Sequence, residues 1–292
     1  ISQLAASIDA DVANAYQGIF QSVGTPGTTP GTSLVLLQAQ QKLNEAAAVM
    51  SPRYVTVNPA ANAALVEGMK GLFNPVSTIS KQFKSGLMAE GILGFEELGM
   101  SQSIKQHTTG TRTGSHTITT TVSTQGTTSI AITGTGTQVI KKGDVFTIAN
   151  VYAVNPQTRE STGSLQQFVA TADATASGGA YTVSVSPAIY TSSSALATVD
   201  SFPQSSATVT FLGSASTQYP QNLVYHKDAI TFATADLVMP QGVDMASRQV
   251  HNGISLRVVR QYDINNDRMP CRVDVLYGYS VIRPQMAVRM WG

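Results

Sequence analysis

The chain predicts an α+β protein in which a block of short strands interrupts a frame of helices and strands. Three observations carry this. Near the N-terminus apolar residues recur at helical spacing, with Leu4, Ile8, Val12, Tyr16 and Ile19 on one face. From about His107 to Ser216 the texture changes to short alternating segments between Gly-rich turns, and more than half the residues from Thr108 to Thr135 are Ser or Thr. Frame-type segments then resume. The expected organisation is therefore residues 1–115 as the first part of the frame, 116–216 as an inserted six-stranded β-barrel or sandwich, and 217–292 as the second part of the frame. Insertion needs chain ends that lie close together, which compact β domains offer.

The elements follow in order. Helical periodicity begins at once and Ile1 stands where an initiator Met would, so the chain is expected to start inside an element. Val23 to Thr32 holds too much Gly and Pro for a helix or a central strand and reads as a loop. Leu34 to Met50 reads as a second helix with its stripe at Leu36, Leu43, Ala47 and Met50, Ser33 as its cap and Pro52 as its stop. Arg53 to Val57 has strong β propensity. Asn58-Pro59 opens a third helix, because Asn caps well and Pro fits the first turn. Strands are expected at Thr117 to Val122, Thr128 to Thr133, Asp144 to Ala149, Gln166 to Thr171, Tyr181 to Ser186 and Ala207 to Leu212. Turns precede two of them, at Lys141-Lys-Gly-Asp144 and Ser177-Gly-Gly-Ala180. Ile254 to Ile264 and Cys271 to Ile282 read as a hairpin around Asn265-Asn-Asp-Arg-Met-Pro270.

Composition bounds the function. Only 12% of the 292 residues are charged, well under the ~25% usual in soluble proteins, while 42% are apolar. Eighteen Lys and Arg balance seventeen Asp and Glu, which removes the basic excess that a general polyanion binder needs. A nearly neutral, charge-poor surface tolerates close contact with copies of itself. The single cysteine, Cys271, excludes an internal disulfide framework, and its alternation with Val273 and Val275 predicts a buried small hydrophobe. No apolar run has the length of a membrane span, the N-terminal residues do not read as a signal peptide, and no Asn-x-Ser/Thr site occurs.

No constellation for chemistry emerges. His107, His116, His226 and His251 form neither an i, i+4 pair nor a short-spaced cluster, so each reads as solvated or locally hydrogen-bonded. There is no Gly-x-Ser-x-Gly elbow, and Gly110-Thr-Arg-Thr-Gly114 lacks the Gly-Lys-Ser/Thr ending of a phosphate loop. The adjacent Glu96 and Glu97 diverge on any regular element and cannot flank one bond. Asp263, Asn265 and Asp267 have the spacing that opens a calcium loop, without its Gly and closing Glu, and the hairpin end is the stronger reading. No catalytic, metal or cofactor residues are expected.

Several phrases point elsewhere. Asn222-Leu-Val-Tyr-His-Lys-Asp-Ala-Ile-Thr-Phe-Ala-Thr-Ala-Asp-Leu237, then Gln261-Tyr-Asp-Ile264, then Leu276-Tyr-Gly-Tyr-Ser-Val-Ile-Arg-Pro-Gln-Met-Ala-Val-Arg-Met290 follow one another in the last third. Gly143-Asp-Val-Phe-Thr-Ile-Ala-Asn-Val-Tyr-Ala-Val-Asn-Pro-Gln-Thr-Arg-Glu-Ser-Thr-Gly163 and Leu165-Gln-Gln-Phe-Val-Ala-Thr-Ala-Asp173 precede them. Together these resemble the major capsid (coat) proteins of tailed bacteriophages with the Hong Kong 97-type fold, in the podovirus-type subgroup that carries an inserted β domain. The resemblance runs from roughly the second helix to the C terminus.

It implies a spine helix at the start, a central mixed sheet with helices, and an N-terminal arm and extended loop upstream of the present sequence, which would make this chain N-terminally truncated. It implies a structural protein that self-assembles through pentamers and hexamers into an icosahedral head around the DNA genome. Its partners would be a scaffolding protein, a portal and non-specifically contacted DNA, with assembly in the bacterial host cytoplasm and residence in the virion. The resemblance also gives the loop Asn155 to Gly163 a role in bridging neighbouring capsomers, with Asn155, Arg159 and Glu160 as candidate contact residues; a solvated hairpin tip is the alternative. A second function class stays open: a β-rich carbohydrate-binding or adhesin module of a phage tail or secreted protein, which needs exposed aromatics and has Tyr152, Tyr181 and Tyr190 to offer.

Overall fold

A computed structural model describes residues 2–69, 93–251 and 253–292. It is a mixed α+β structure, rich in sheet. Helix Ser2–Val12 (α1) continues as a 3₁₀ helix, Ala13–Gly18, and is followed by Ser22–Val23 (β1), Ser33–Glu45 (α2), Arg53–Val57 (β2), Pro59–Met69 (α3), Glu97–Met100 (β3) and Gln106–Thr108 (β4). Eight strands come next: His116–Thr117 (β5), Thr127–Thr133 (β6), Val139–Ile140 (β7), Val145–Val154 (β8), Ser161–Ala170 (β9), Ala174–Thr175 (β10), Ala180–Ile189 (β11) and Thr208–Phe211 (β12). The last six are Gln218–His226 (β13), Ile230–Ala235 (β14), Met245–His251 (β15), Ile254–Arg260 (β16), Cys271–Val281 (β17) and Ala287–Trp291 (β18). The described chain divides into two compact units, Ile1–Ala229 with Arg283–Gly292, and Ile230–Ile282.

In the larger unit a mixed sheet has the order β1-β18-β13-β2-β3, with β4 also on β13. β18 is parallel to β1, and β13 is antiparallel to both β18 and β2. Every residue of β18 is buried, as expected of a strand covered on both faces. The loop of residues 23–32 leads into α2. That helix stops at Glu45, five residues short of the sequence expectation, and its N-cap is Thr32, without a side-chain bond, rather than Ser33. The stop lies well before Pro52. Ala47 sits at φ 54, its N–H donates to the Asn44 carbonyl, and the Ala48 N–H donates to the Leu43 carbonyl. These two bonds make a Schellman ending built on Ala where Gly is the usual signal, which is why periodicity alone extended the helix. Met50 is consequently exposed. The Arg53 side chain then donates to the Val49 and Ala48 carbonyls.

The start of α3 matches its signal. Asn58 Oδ1 accepts the Ala61 N–H at 2.8 Å, and buried Asn222 on β13 accepts the Asn58 N–H at 2.7 Å, so the cap is anchored to the sheet.

The second sheet has the order β5-β12-β8-β9-β11-β6. A bridge between Ile118 and Ile132, together with the Thr119 N–H to Ala131 carbonyl bond, joins its two ends, so the path closes into a barrel. Closure removes exposed edges. Inward residues such as Ile132, Phe146, Ile148, Phe168, Tyr181 and Val183 form one apolar core, with Phe146 and Phe168 stacked at 5.9 Å. The strand expected at Thr117 to Val122 is only two residues long plus that bridge, because its N–H groups go to Ala207, Ala131 and Pro203 in turn rather than to one neighbour.

The smaller unit is a four-stranded antiparallel sheet, β14-β17-β16-β15. The hairpin expected from the sequence is its centre, and Asp263 binds the Asn265 N–H and Asn266 amide as a turn residue rather than a cation ligand. Pairing puts Phe232, Tyr279, Val275, Leu256, Val273 and Val258 on one face and Arg257, Asp274 and Arg272 on the other. Cys271 lies on the apolar face but is exposed, which corrects the expectation of burial: the unit has a single layer, so alternation does not bury a face.

Candidate inter-subunit site

The turn joining β8 to β9 carries the three candidate contact residues, and the structure brings them together. Asn155 Oδ1 accepts the N–H groups of Gln157 at 2.8 Å and Thr158 at 3.2 Å. The Asn155 carbonyl takes the Arg159 N–H at 2.8 Å, and its own N–H donates to the Glu160 carbonyl at 3.0 Å. Asn at the first position of such a turn is favoured for this reason. Arg159 holds φ at 59, a conformation that costs a branched or bulky residue and is kept only because these four bonds define it. The result is a braced loop with Pro156, Arg159 and Glu160 pointing to solvent.

Charge makes the turn stand out. In the barrel region Lys141 pairs with Asp173 at 2.9 Å, Asp200 binds the Tyr152 N–H, and Asp144 is buried in a network. The Lys142 N–H and the Lys141 ammonium hold Asp173 below the usual carboxylate range. The side chains of Arg159 and Glu160 make no ion pair among the described residues.

Beside the turn is a cleft of about 390 Å³, walled by Pro156, Leu165, Tyr190, Leu196, Phe20 and Pro284. Lys42 and Glu45, from the last turn of α2, and Gln21 also line it. Sequence reasoning missed these residues. The available signal was scarcity: in a chain 12% charged, any cation and anion three positions apart on one helix invite notice.

The barrel is fastened to the mixed sheet by a buried polar network. Asp144, with a fully buried side chain, accepts from Arg112 Nη1 at 2.8 Å, the Lys141 N–H at 2.9 Å, the Gly110 N–H at 3.1 Å and His107 Nε2 at 2.9 Å. A carboxylate only accepts, so His107 carries its proton on Nε2, and in the neutral ring Nδ1 accepts from the Tyr16 hydroxyl at 3.2 Å. Burial lowers the Arg112 pKa, with Asp144 opposing. Arg289 on β18 reaches from the sheet to the Gly143 carbonyl at 2.9 Å, its guanidinium 5.5 Å from the Trp291 ring and 5.7 Å from the Tyr16 ring. Burial pulls its pKa down to about 10, and its Nε and Nη1 have no partner among the described residues. Phe20, Val145, Val169, Tyr219 and Trp291 form an apolar cluster across the same junction.

The other sequence candidates take structural places. His107, His116 and His226 are buried and hydrogen-bonded rather than solvated, and among the described residues no group of three potential ligands could hold a metal ion. Tyr181 is fully buried, its ring at the core of the barrel, and Tyr152 and Tyr190 are half-buried.

Comparison with known proteins follows the same direction. The family model described as "P22 coat protein - gene protein 5" matches residues 35–292. A search of curated proteins finds no match. Among solved structures, a chain from Mycobacterium phage Che8 is similar over 99% of this chain and 59% of that one, at 12% identity and a TM-score of 0.45. The chain thus spans about 59% of the length of that relative. The CUS-3 coat protein I-domain is similar over 35% of this chain and 98% of its own length, at 29% identity and a TM-score of 0.27. With a family match that extends from the third residue of α2 through β18, the chain belongs to the P22 coat protein family.

Proposed function

We propose that the chain acts as a major capsid subunit of a tailed phage, closing with copies of itself through pentamers and hexamers into an icosahedral head around the DNA genome. The observation that carries this is the family match across residues 35–292. The charge-poor composition agrees with a protein whose chemistry is self-association. On this reading the mixed sheet and its helices are a Hong Kong 97-like frame, a scaffolding protein and a portal assist assembly in the host cytoplasm, and DNA touches the inner surface without being read. Electron microscopy of the coat gene product made together with its scaffolding protein tests it. Uniform closed shells are expected, and a product that stays monomeric under all conditions overturns the reading.

The same proposal makes residues 116–216 an inserted barrel between frame parts 1–115 and 217–292. Support comes from its mouth: β4, just before the barrel, pairs with β13, just after it, with His107 opposite Tyr219. Entry and exit therefore lie side by side, as an insertion requires. The fragment 116–216 expressed alone is expected to unfold in one cooperative transition, since the barrel closes on itself and owns its core. A fragment without a transition would place the boundary elsewhere. The braced turn at Asn155, Arg159 and Glu160 is, on this proposal, a contact between neighbouring subunits.

A further inference from the structure

We propose that the barrel is a hinged body, pivoting on the paired strands at its mouth and latched against the mixed sheet by Gln167, whose side-chain amide closes on the outer edge of β1. The inference concerns the chain by itself and does not depend on the coat-subunit reading.

The latch is a side chain standing in for a strand. β1 ends the mixed sheet, with β18 on one side and, among the described residues, no strand on the other. Ser22 is only 3% exposed, so its N–H and carbonyl need partners. Gln167 supplies both: its Oε1 accepts the Ser22 N–H at 2.6 Å, and its Nε2 donates to the Ser22 carbonyl at 3.1 Å. A neighbouring strand would satisfy the same two groups, and here the partner comes from β9 of the barrel. Strand alternation aims it: Phe168 points into the barrel core, while Gln167 and Val169 share the opposite face.

The pivot lies toward the mouth. The chain enters the barrel after β4 and leaves it before β13, and these two strands pair, with His107 opposite Tyr219. Asp144, bound to His107 and to the Gly110 N–H, belongs to this end. Along the β8–β9 ladder Val145, next to Asp144, pairs with Val169, and Thr147 pairs with Gln167 two residues farther out. The latch can therefore release while the mouth holds.

The surface under the barrel is poised to part from it. Register sets Ser22, Arg289 and Leu223 in one row across the sheet and Gln221 and Trp291 in another, on the face that meets Val145 and Val169. Ser22 Oγ, Gln221 Oε1, Arg289 Nε and Nη1 and Trp291 Nε1 are buried without a hydrogen-bond partner among the described residues. Lifting the barrel lets water reach these atoms, so opening recovers hydrogen bonds that the closed state lacks. The barrel itself closes around its own apolar core and moves as one piece.

Trp291 is the single tryptophan of the chain, and its buried, unpartnered indole N–H exchanges with solvent when the seam opens or the whole protein unfolds. Hydrogen exchange followed by NMR on the full chain is the test, with thermal melts to show that each variant is folded. Gln167→Leu is expected to speed indole exchange about tenfold or more, the effect of two hydrogen bonds lost from the closed state, and to leave the backbone amides of β6 and β11 at their original rates. Gln167→Glu is expected to match the Leu variant at neutral pH, where a carboxylate cannot donate to the Ser22 carbonyl. In acid it should return toward the parent measured at the same pH, because a protonated carboxyl again donates and accepts. Unchanged indole exchange in the Leu variant overturns the latch, and exchange that rises equally in β6 and β11 overturns the hinge. A Glu variant that stays open in acid overturns the amide pairing, and this comparison carries the test alone if the Leu variant does not fold.

Discussion

Asp144→Ala is expected to cost about 3–5 kcal/mol of stability, the loss typical when one partner of a buried charge pair is removed. The carboxylate collects four donors, and its removal leaves the Arg112 guanidinium, with only 3% of its side chain exposed, facing an apolar barrel residue, Phe211, at 4.3 Å. The Gly110 and Lys141 N–H groups lose their acceptor at the same moment. Asp144→Asn separates charge from hydrogen bonding. Its oxygen can still take the three donors that meet Oδ2, and its amide can donate to His107 once that ring holds its proton on Nδ1 and donates to Tyr16. The Asn variant should therefore lose clearly less, about 1–3 kcal/mol. Urea unfolding of the three proteins decides it, and an Ala variant within about 1 kcal/mol of the parent would show that water replaces the carboxylate at little cost.

Trp291→Ala is the second large effect, again about 3–5 kcal/mol. Trp291 is fully buried on β18, between β1 and β13, edge-on to Tyr219 at 5.6 Å and within 5.5 Å of the Arg289 guanidinium. Its truncation opens a void where β18, β13 and the barrel residues Val145 and Val169 meet. Trp291→Phe should cost about half of that or less, because it keeps an aromatic ring beside Tyr219 and Arg289 and removes an indole N–H that has no acceptor among the described residues. Thermal melts monitored by far-ultraviolet circular dichroism check the order of the three proteins. Equal losses for Ala and Phe would mean that the indole shape, rather than aromatic contact, holds the junction.

What could be read in the chain beforehand depended on how local its cause is. The Asn58 cap, the strands around Phe146 and Phe168 and the hairpin around Asp263 each follow from neighbours in sequence and form around the expected residues, although β8 runs on to Val154 and β9 starts already at Ser161. The end of α2 escaped because Ala47 adopts a conformation normally announced by Gly. Cys271 escaped for a different reason: alternation reports which residues share a face, while burial depends on whether a second layer covers that face. The candidate turn was legible through its two charges. The cleft was not, since its walls come from the first loop, α2, three barrel segments and the stretch before β18, and only the fold brings Gln21, Lys42 and Leu196 to one place. Asp144 was legible only as a turn residue. Its four donors come from positions between 3 and 37 residues away along the chain, a spread that no short pattern encodes.

The order β1-β18-β13-β2-β3 also has a consequence in time. The strand that joins β1 to β13 is made from residues 287–291, which follow both of its neighbours and the whole barrel along the chain. A nascent chain can close its barrel while still tethered, yet its mixed sheet lacks the strand between β1 and β13 until residues 287–291 emerge, so β1 and one edge of β13 wait unpaired. On the coat-subunit reading, a frame that locks only when this strand is added keeps chains that still lack it from presenting a finished surface to one another.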